Sequence, residues 1–227
     1  ATSWSWSFPG GTPSSQTGVG PHTVTYNTAG SYNVVLTISN GCGSDNETKE
    51  LYITVNPDPV ADFYANQTTI CVGDNVTFTD NSTNATSWSW SFPGGSPSSQ
   101  TGVGPHTVTY NTAGSYNVVL TVSNACGSDN ETKNLYITVS PLPVANFYAD
   151  NTTVCAGSSV TFTDNSTDAT SWSWSFPGGS PSSQTGVGPH TVSYSASGNY
   201  TVSLLVSNNC GSDNETKELY ITVNPDP

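Results

Sequence analysis

Arginine and methionine are absent from the 227 residues, lysine occurs only at Lys49, Lys133 and Lys217, and no apolar run approaches the length of a bilayer span. With sixteen acids the formal charge is −13. A field of that sign repels phosphate backbones and anionic lipid, so neither nucleic-acid nor membrane-surface binding is expected, and the lack of a spanning stretch argues against membrane insertion of this segment. Helical periodicity is also missing, which leaves strands as the building material. Charged residues make up only 8% of the chain, so hydroxyls and amides must wet its surface, unlike that of a typical cytoplasmic protein. Aromatic residues, at 11% and regularly spaced, exclude disorder.

What the chain has in abundance is itself. Trp4, Trp88 and Trp172 stand 84 residues apart, and residues 1–56 align without a gap with 85–140, differing only at Thr12/Ser96, Ile38/Val122, Gly41/Ala125, Glu50/Asn134 and Asn56/Ser140. A catalytic site is rarely needed in near-identical copies, whereas a rod or a multivalent surface gains from each one. The repeat divides the chain into a partial unit over 1–56 lacking its first strands and complete units over 57–140 and 141–227. Because Ala1 falls in mid-repeat, the sequence is expected to be a window on a longer polypeptide.

Within the second unit the apolar residues mostly alternate, the mark of strands. Val60 to Tyr64 reads as a first strand and Asn75 to Thr79 as another, with Val76 and Phe78 on one face. Ser87 to Phe92 sets three aromatics against three serines, a polar loop runs from Ser96 to Pro105, and Tyr116, Val118, Leu120 and Val122 point inward from a long strand. Thr132 to Val139 closes the unit before Pro141-Leu142-Pro143. Six or seven short strands with turns every eight to twelve residues describe an all-β, two-sheet sandwich. Tyr32, Tyr116 and Tyr200 each follow a Gly-x corner at the start of a long strand, where a tyrosine corner would pin such a sandwich.

Five cysteines fall into two classes, Cys71 and Cys155 in Cys-x-Gly and Cys42, Cys126 and Cys210 in Asn-x-Cys-Gly-Ser-Asp-Asn-Glu-Thr-Lys. Two recurrent classes in a hydroxyl-rich, histidine-poor chain argue for disulfides and an extracellular compartment. No Gly-x-Ser-x-Gly elbow and no nucleophile beside an activating base is found, so no enzyme is expected. His22, His106 and His190 have no ligand at metal spacing and read as hydrogen-bonded strand-edge imidazoles. Asp164 to Asp168 has the oxygen density of a calcium loop, but its counterpart carries Asn84 for Asp168, no bidentate acid follows, and Asx-turn chemistry accounts for it; no cofactor is assigned beyond that weak calcium candidate.

Trp-x-Trp-x-Phe with a Gly-containing turn, followed by His-Thr-Val-Thr-Tyr-x-x-x-Gly-x-Tyr-x-Val-x-Leu-x-Val-Ser-Asn, resembles the PKD (polycystic kidney disease) domain. The Trp-Ser-Phe-Pro-Gly-Gly form with its two cysteine settings looks most like the tandem PKD repeats of secreted and cell-surface proteins of Bacteroidota. The resemblance covers essentially the whole chain and implies tandem Ig-like (PKD) β-sandwich repeats of about 84 residues. The family's commoner Trp-Asp-Phe-Gly-Asp-Gly turn has lost both acids here, at Ser91, Pro93 and Gly94, so no role of those acids carries over.

In an Ig-like sandwich the loop expected to hold Cys71 and the hairpin holding Cys126 lie at opposite ends. A strand of about seven residues separates such ends by roughly 23 Å, whereas bridged Cα atoms lie within about 7 Å. Three arrangements stay open: an interdomain bond between Cys71 and Cys210, with Cys42, Cys126 and Cys155 pairing beyond the sequence; intradomain Cys71–Cys126 and Cys155–Cys210 bonds; and free or intermolecular thiols. Trp4, Trp88 and Trp172, outermost in each aromatic trio, are core residues in one reading and ligand-stacking platforms in another. The leading expectation is a structural array, the stalk of an extracellular fibre, filament or adhesin, whose partners are neighbouring copies or adjoining repeats. The alternative is a set of carbohydrate- or protein-binding modules of a secreted degradative enzyme, with a surface glycan or protein as ligand.

Overall fold

The computed structural model describes residues 1–226, and every regular element in it is a β-strand. The first repeat contributes β1 (Ser3–Ser7), β2 (Gly11–Thr12), β3 (Ser15–Thr17), β4 (Thr25–Tyr26), β5 (Gly30–Asn40) and β6 (Gly43–Val55). The second contributes β7 (Phe63–Ala65), β8 (Thr69–Cys71), β9 (Asn75–Asp80), β10 (Ser87–Ser91), β11 (Gly95–Ser96), β12 (Ser99–Thr101), β13 (His106–Tyr110), β14 (Gly114–Ser123) and β15 (Ser128–Ser140). The third follows with β16 (Phe147–Ala149), β17 (Thr153–Cys155), β18 (Ser159–Asp164), β19 (Ser171–Ser175), β20 (Ser183–Thr185), β21 (His190–Ser193), β22 (Gly198–Asn208) and β23 (Gly211–Asn224).

In the second repeat, one sheet runs β12-β10-β14-β15-β8 and the other β11-β13-β9-β7. Their facing sides enclose Phe63, Val76, Phe78, Trp90, Phe92, Val108, Tyr110, Val118, Leu120, Val122 and Ile137, all essentially buried. The alternation in Ser87 to Phe92 produces this directly. Period-2 side chains put Trp90 and Phe92 on one face, where Trp90 stacks beside Phe92 and meets Phe63 edge-on. The third repeat has the same core around Trp174, Phe176, Phe162 and Leu204.

Several local features depart from the sequence reading. The first strand begins at Phe63; Val60 is exposed and makes only an isolated bridge to Thr83. Cys71 does not lie in a loop but ends β8, which pairs in parallel with the last strand through Thr69↔Thr138, Ile70↔Val139 and Cys71↔Ser140. The opening stretch thus serves both sheets, with β7 on β9 and β8 on β15. The polar loop contains β11 and β12, because backbone ladders of two or three residues need no apolar pattern. The last strand carries a bulge opposite Asn117, where Leu135 adopts φ 48° and donates its N–H to Asn117 Oδ1 at 2.7 Å.

The tyrosine corners are local: the hydroxyl of Tyr32 donates to Thr28 O at 2.6 Å, Tyr116 to Thr112 O at 2.8 Å and Tyr200 to Ala196 O at 2.7 Å. The ring of Tyr116 lies against Gly94, whose φ of 76° and missing Cβ admit it.

Candidate functional site

The joint between the second and third repeats is built by elements that repeat in sequence but meet across the boundary. Pairing of β8 with β15 places Cys71 beside Ser140, the last residue of its own repeat. The hairpin between β22 and β23 turns back toward that same residue, and Cys210 at its tip bonds Cys71, with Cα atoms 5.4 Å apart. Asn208 fixes the tip. Its side-chain amide donates to Pro141 O at 3.0 Å and Asp168 O at 2.7 Å, while its Oδ1 accepts from Cys210 N at 2.7 Å and Gly211 N at 3.2 Å. One asparagine thus ties the hairpin, the linker and the loop after β18 together. In the linker Pro143 is buried, and Ala145 N donates to Asp213 Oδ2 at 2.9 Å.

The preceding joint has the same parts without the bond. Asn124 donates to Pro57 O at 3.0 Å and Asn84 O at 2.7 Å, and Cys126 Sγ lies 3.5 Å from Asn56 O. Cys42, Cys126 and Cys155 are exposed free thiols. Cys155 ends β17 beside Asn224, as Cys71 ends β8 beside Ser140. The intradomain pairing of Cys155 with Cys210 is overturned, since Cys210 is already bonded across the joint.

The other sequence candidates do not converge on this site. Trp88 and Trp172 are half-buried against the cores, and their indole N–H groups donate to Asp80 Oδ2 and Asp164 Oδ2 at 3.0 Å; Trp4 is half-buried as well. Asp164, the first residue of the calcium-like segment, uses its other oxygen to accept from Ser166 N and Ser166 Oγ. Among the described residues, no group of three or more His, Cys, Asp or Glu side chains is placed to hold a metal ion. His106 starts β13, hydrogen-bonds Gly102 O at 3.0 Å and packs edge-on against Trp90; His190 does the same with Gly186 O and Trp174.

Two contacts of the core rim carry no signal that the sequence reading used. Lys133 lies over the Phe63 and Tyr136 rings, donates to Phe63 O and stands 3.6 Å from Asp62. Lys217 is placed likewise over Phe147 and Tyr220. Lysines in the charge-poor, recurrent Glu-Thr-Lys motif were the available hint. Asp62, bonded by Asn81, by its neighbour's backbone and by Lys133, is held below the usual carboxylate range. Burial, and then the nearby Tyr116, pushes the Tyr110 hydroxyl up to about 12; Tyr194 behaves alike beside Tyr200.

Among the described residues, no helix is long and apolar enough to cross a membrane. No curated protein matches the chain in sequence. Among solved structures, a three-Ig fragment of titin carrying an E-to-A mutation is 13% identical at a TM-score of 0.50, with 97% of this chain and 87% of that one covered. The two-domain IG1+IG2 segment of DIP-gamma is 14% identical at a TM-score of 0.51, covering 75% and 99%. At such identities the likeness is one of fold, and it agrees with tandem Ig-like sandwiches. Family models described as PKD domain match residues 140–223 and residues 1–53 and 61–137. These matches take in far more than half of the sequence, and the chain belongs to the PKD domain family as a tandem array.

Proposed function

We propose that this chain is a tension-bearing segment of an extracellular stalk, fibre or adhesin, without catalytic activity of its own, in which the joint between the second and third sandwiches is closed covalently. The observation that carries the reading is the Cys71–Cys210 bond, which joins residues 139 apart in sequence across a proline-rich linker. Tension applied along the chain enters the second repeat, crosses from Cys71 to Cys210 and leaves through β23. The strands from β9 to β22 therefore lie outside the covalent force path. At about 3.4 Å per extended residue, the bond withholds roughly 470 Å of contour length that would otherwise be released when both sandwiches open. The half-rigid proline linkers favour the same use, because they extend the chain without free hinging.

Substrate-binding modules of a secreted enzyme are a weaker reading. The indoles of Trp88 and Trp172 are tethered by Asp80 and Asp164 and packed on the cores, which leaves them less of the free aromatic face that stacking on a sugar requires. Single-molecule pulling of the chain, oxidised and then reduced, tests the proposal. The oxidised molecule should lengthen by roughly 470 Å less than the reduced one. Equal extensions would overturn the covalent stalk.

A further inference from the structure

At the rim of the second core an amine, a carboxylate and a carboxamide from three parts of the chain come together. Asp62 lies just before β7, Asn81 just after β9, and Lys133 on β15. Pairing of β7 with β9 aligns the first two, since Phe63 faces Asp80 in the ladder and Asn81 N donates to Asp62 O at 2.8 Å. Asp62 Oδ2 accepts from Asn81 Nδ2 at 2.6 Å, while Oδ1 accepts from Phe63 N at 2.8 Å and stands 3.6 Å from Lys133 Nζ. The amine is held from its other side as well: it donates to Phe63 O and lies over the Phe63 and Tyr136 rings, 4.7 and 5.5 Å from their centroids. One carboxylate thus bridges a primary amine and a primary amide, the two reactants of an amide exchange. Asn81, then the Phe63 N–H and Lys133, hold Asp62 below the usual carboxylate range, in the ionised form that can take up a proton.

We propose that Lys133 and Asn81 condense into an isopeptide bond, with Asp62 relaying the protons. One Asp62 oxygen takes a proton from the Lys133 ammonium, and the freed Nζ attacks Asn81 Cγ to form the new C–N bond. Asp62 passes that proton to Nδ2, the Cγ–Nδ2 bond breaks, and ammonia leaves. Asp62 then removes the second proton from Nζ and yields it to the ammonia. The products are a neutral secondary amide and ammonium, with Asp62 ionised as at the start and no oxidant consumed. Such exchange is slow between free amines and amides, and holding both on one carboxylate makes it intramolecular. Because β15 and β9 belong to opposite sheets, the bond joins the two layers of the sandwich covalently, independently of the Cys71–Cys210 joint. The third repeat supplies the comparison. Lys217 donates to Phe147 O at 2.6 Å over the Phe147 and Tyr220 rings, and Asn165 N donates to Asn146 O at 2.8 Å, so the frame is the same. Asn146 stands there in place of Asp62, and a carboxamide cannot serve as the proton acceptor, so the bond is assigned to the second repeat alone.

The test is mass spectrometry of the full chain after reduction. Its intact mass should fall short of the sequence mass by one ammonia. Trypsin, for which Lys49, Lys133 and Lys217 are the only sites, should cut the denatured chain at the first and third but not at Lys133, whose acylated Nζ carries no charge. Fragmentation of chymotryptic peptides should show a branch from Lys133 to Asn81. An Asp62→Asn chain should have the full mass and be cut at Lys133; the third repeat already folds around an asparagine at that position. Conversely, Asn146→Asp should cost a second ammonia, block cleavage at Lys217 and branch to Asn165. A native chain of full mass that is cut at Lys133 would overturn the isopeptide bond and leave a hydrogen-bonded ion pair, and so would an ammonia loss without that branch. A branch that survives Asp62→Asn, or an Asn146→Asp chain that forms none at Lys217, would overturn the relay.

Discussion

Removing the joint disulfide by Cys71→Ser together with Cys210→Ser should destabilise the second and third repeats and leave the first unchanged. The magnitude follows from which loop the bond closes. Cys71 is hydrogen-bond register partner to Ser140, so while the second repeat stays folded, Cys210 is in effect anchored at residue 140. Unfolding of the third repeat alone must then close a loop of about 70 residues, for which chain entropy gives about 4.4 kcal/mol at 25 °C. Unfolding of the second repeat alone closes a loop of similar size, from Cys71 to the linker. Measured effects commonly fall short of this limit, and 2–4 kcal/mol is the usual range. For sandwiches of this size, that corresponds to a fall in Tm of roughly 10–25 °C. Calorimetry of the oxidised chain, the double variant and the reduced native chain would check it, the last two being expected to coincide. A double variant whose two cooperative transitions stay within about 3 °C of the oxidised chain would refute the reasoning.

Gly94→Ala should cost more than about 2 kcal/mol in the second repeat, because a left-handed backbone is penalised for a residue with Cβ and the new methyl would drive into the Tyr116 ring, breaking the hydroxyl bond to Thr112 O; chemical denaturation would measure it. At Leu135, 68% exposed at φ 48°, replacement by glycine should stabilise by up to about 1 kcal/mol while valine should destabilise, an ordering readable in thermal melts. Alkaline titration followed at the tyrosinate absorbance should show Tyr110 and Tyr194 ionising above the ordinary tyrosine range. With their hydroxyls raised from 10 to about 12, the folded state holds these protons more tightly than the unfolded one. Their contribution is therefore complete below pH 10 and lost between pH 10 and 12, at most about 2.7 kcal/mol for each.

The cores were legible because burial is written in alternation: Trp90 and Phe92, or Val118, Leu120 and Val122, point inward wherever the strand is long enough for period 2 to show. Short elements were not. A three-residue strand such as β8 has no measurable period, and its parallel partner lies some seventy residues away, so nothing in Thr69-Ile70-Cys71 announces that the opening strand switches sheets. The asparagine clamp was hidden for a related reason. Asn124 and Asn208 look like ordinary loop residues until the chain path brings two backbone carbonyls within reach of one amide. The joint between Cys71 and Cys210 stood among the open arrangements at the sequence level, since the two classes of cysteine sit at opposite ends of a sandwich. Choosing among them required the register of β8.

Identical residues in unlike surroundings show how far local sequence decides a side chain's fate here. Lys49 and Lys133 share the run Ser-Asp-Asn-Glu-Thr-Lys, yet one forms an exposed pair with Glu47 while the other lies across Phe63 and Tyr136. The strand itself forms in both, paired as β6 with β5 and as β15 with β14. What differs is the partner, since Lys133 reaches the backbone oxygen of Phe63 at the start of β7. In the second repeat the opening segment closes the sandwich and, through Cys71, secures the next. On this view the covalent span is offset from the repeat in sequence: it runs from the opening strands of one sandwich to the hairpin of its successor. An array bonded in that offset manner has no sandwich that can open under tension without its neighbour's hairpin holding the thread, which a bond confined within each sandwich would not achieve.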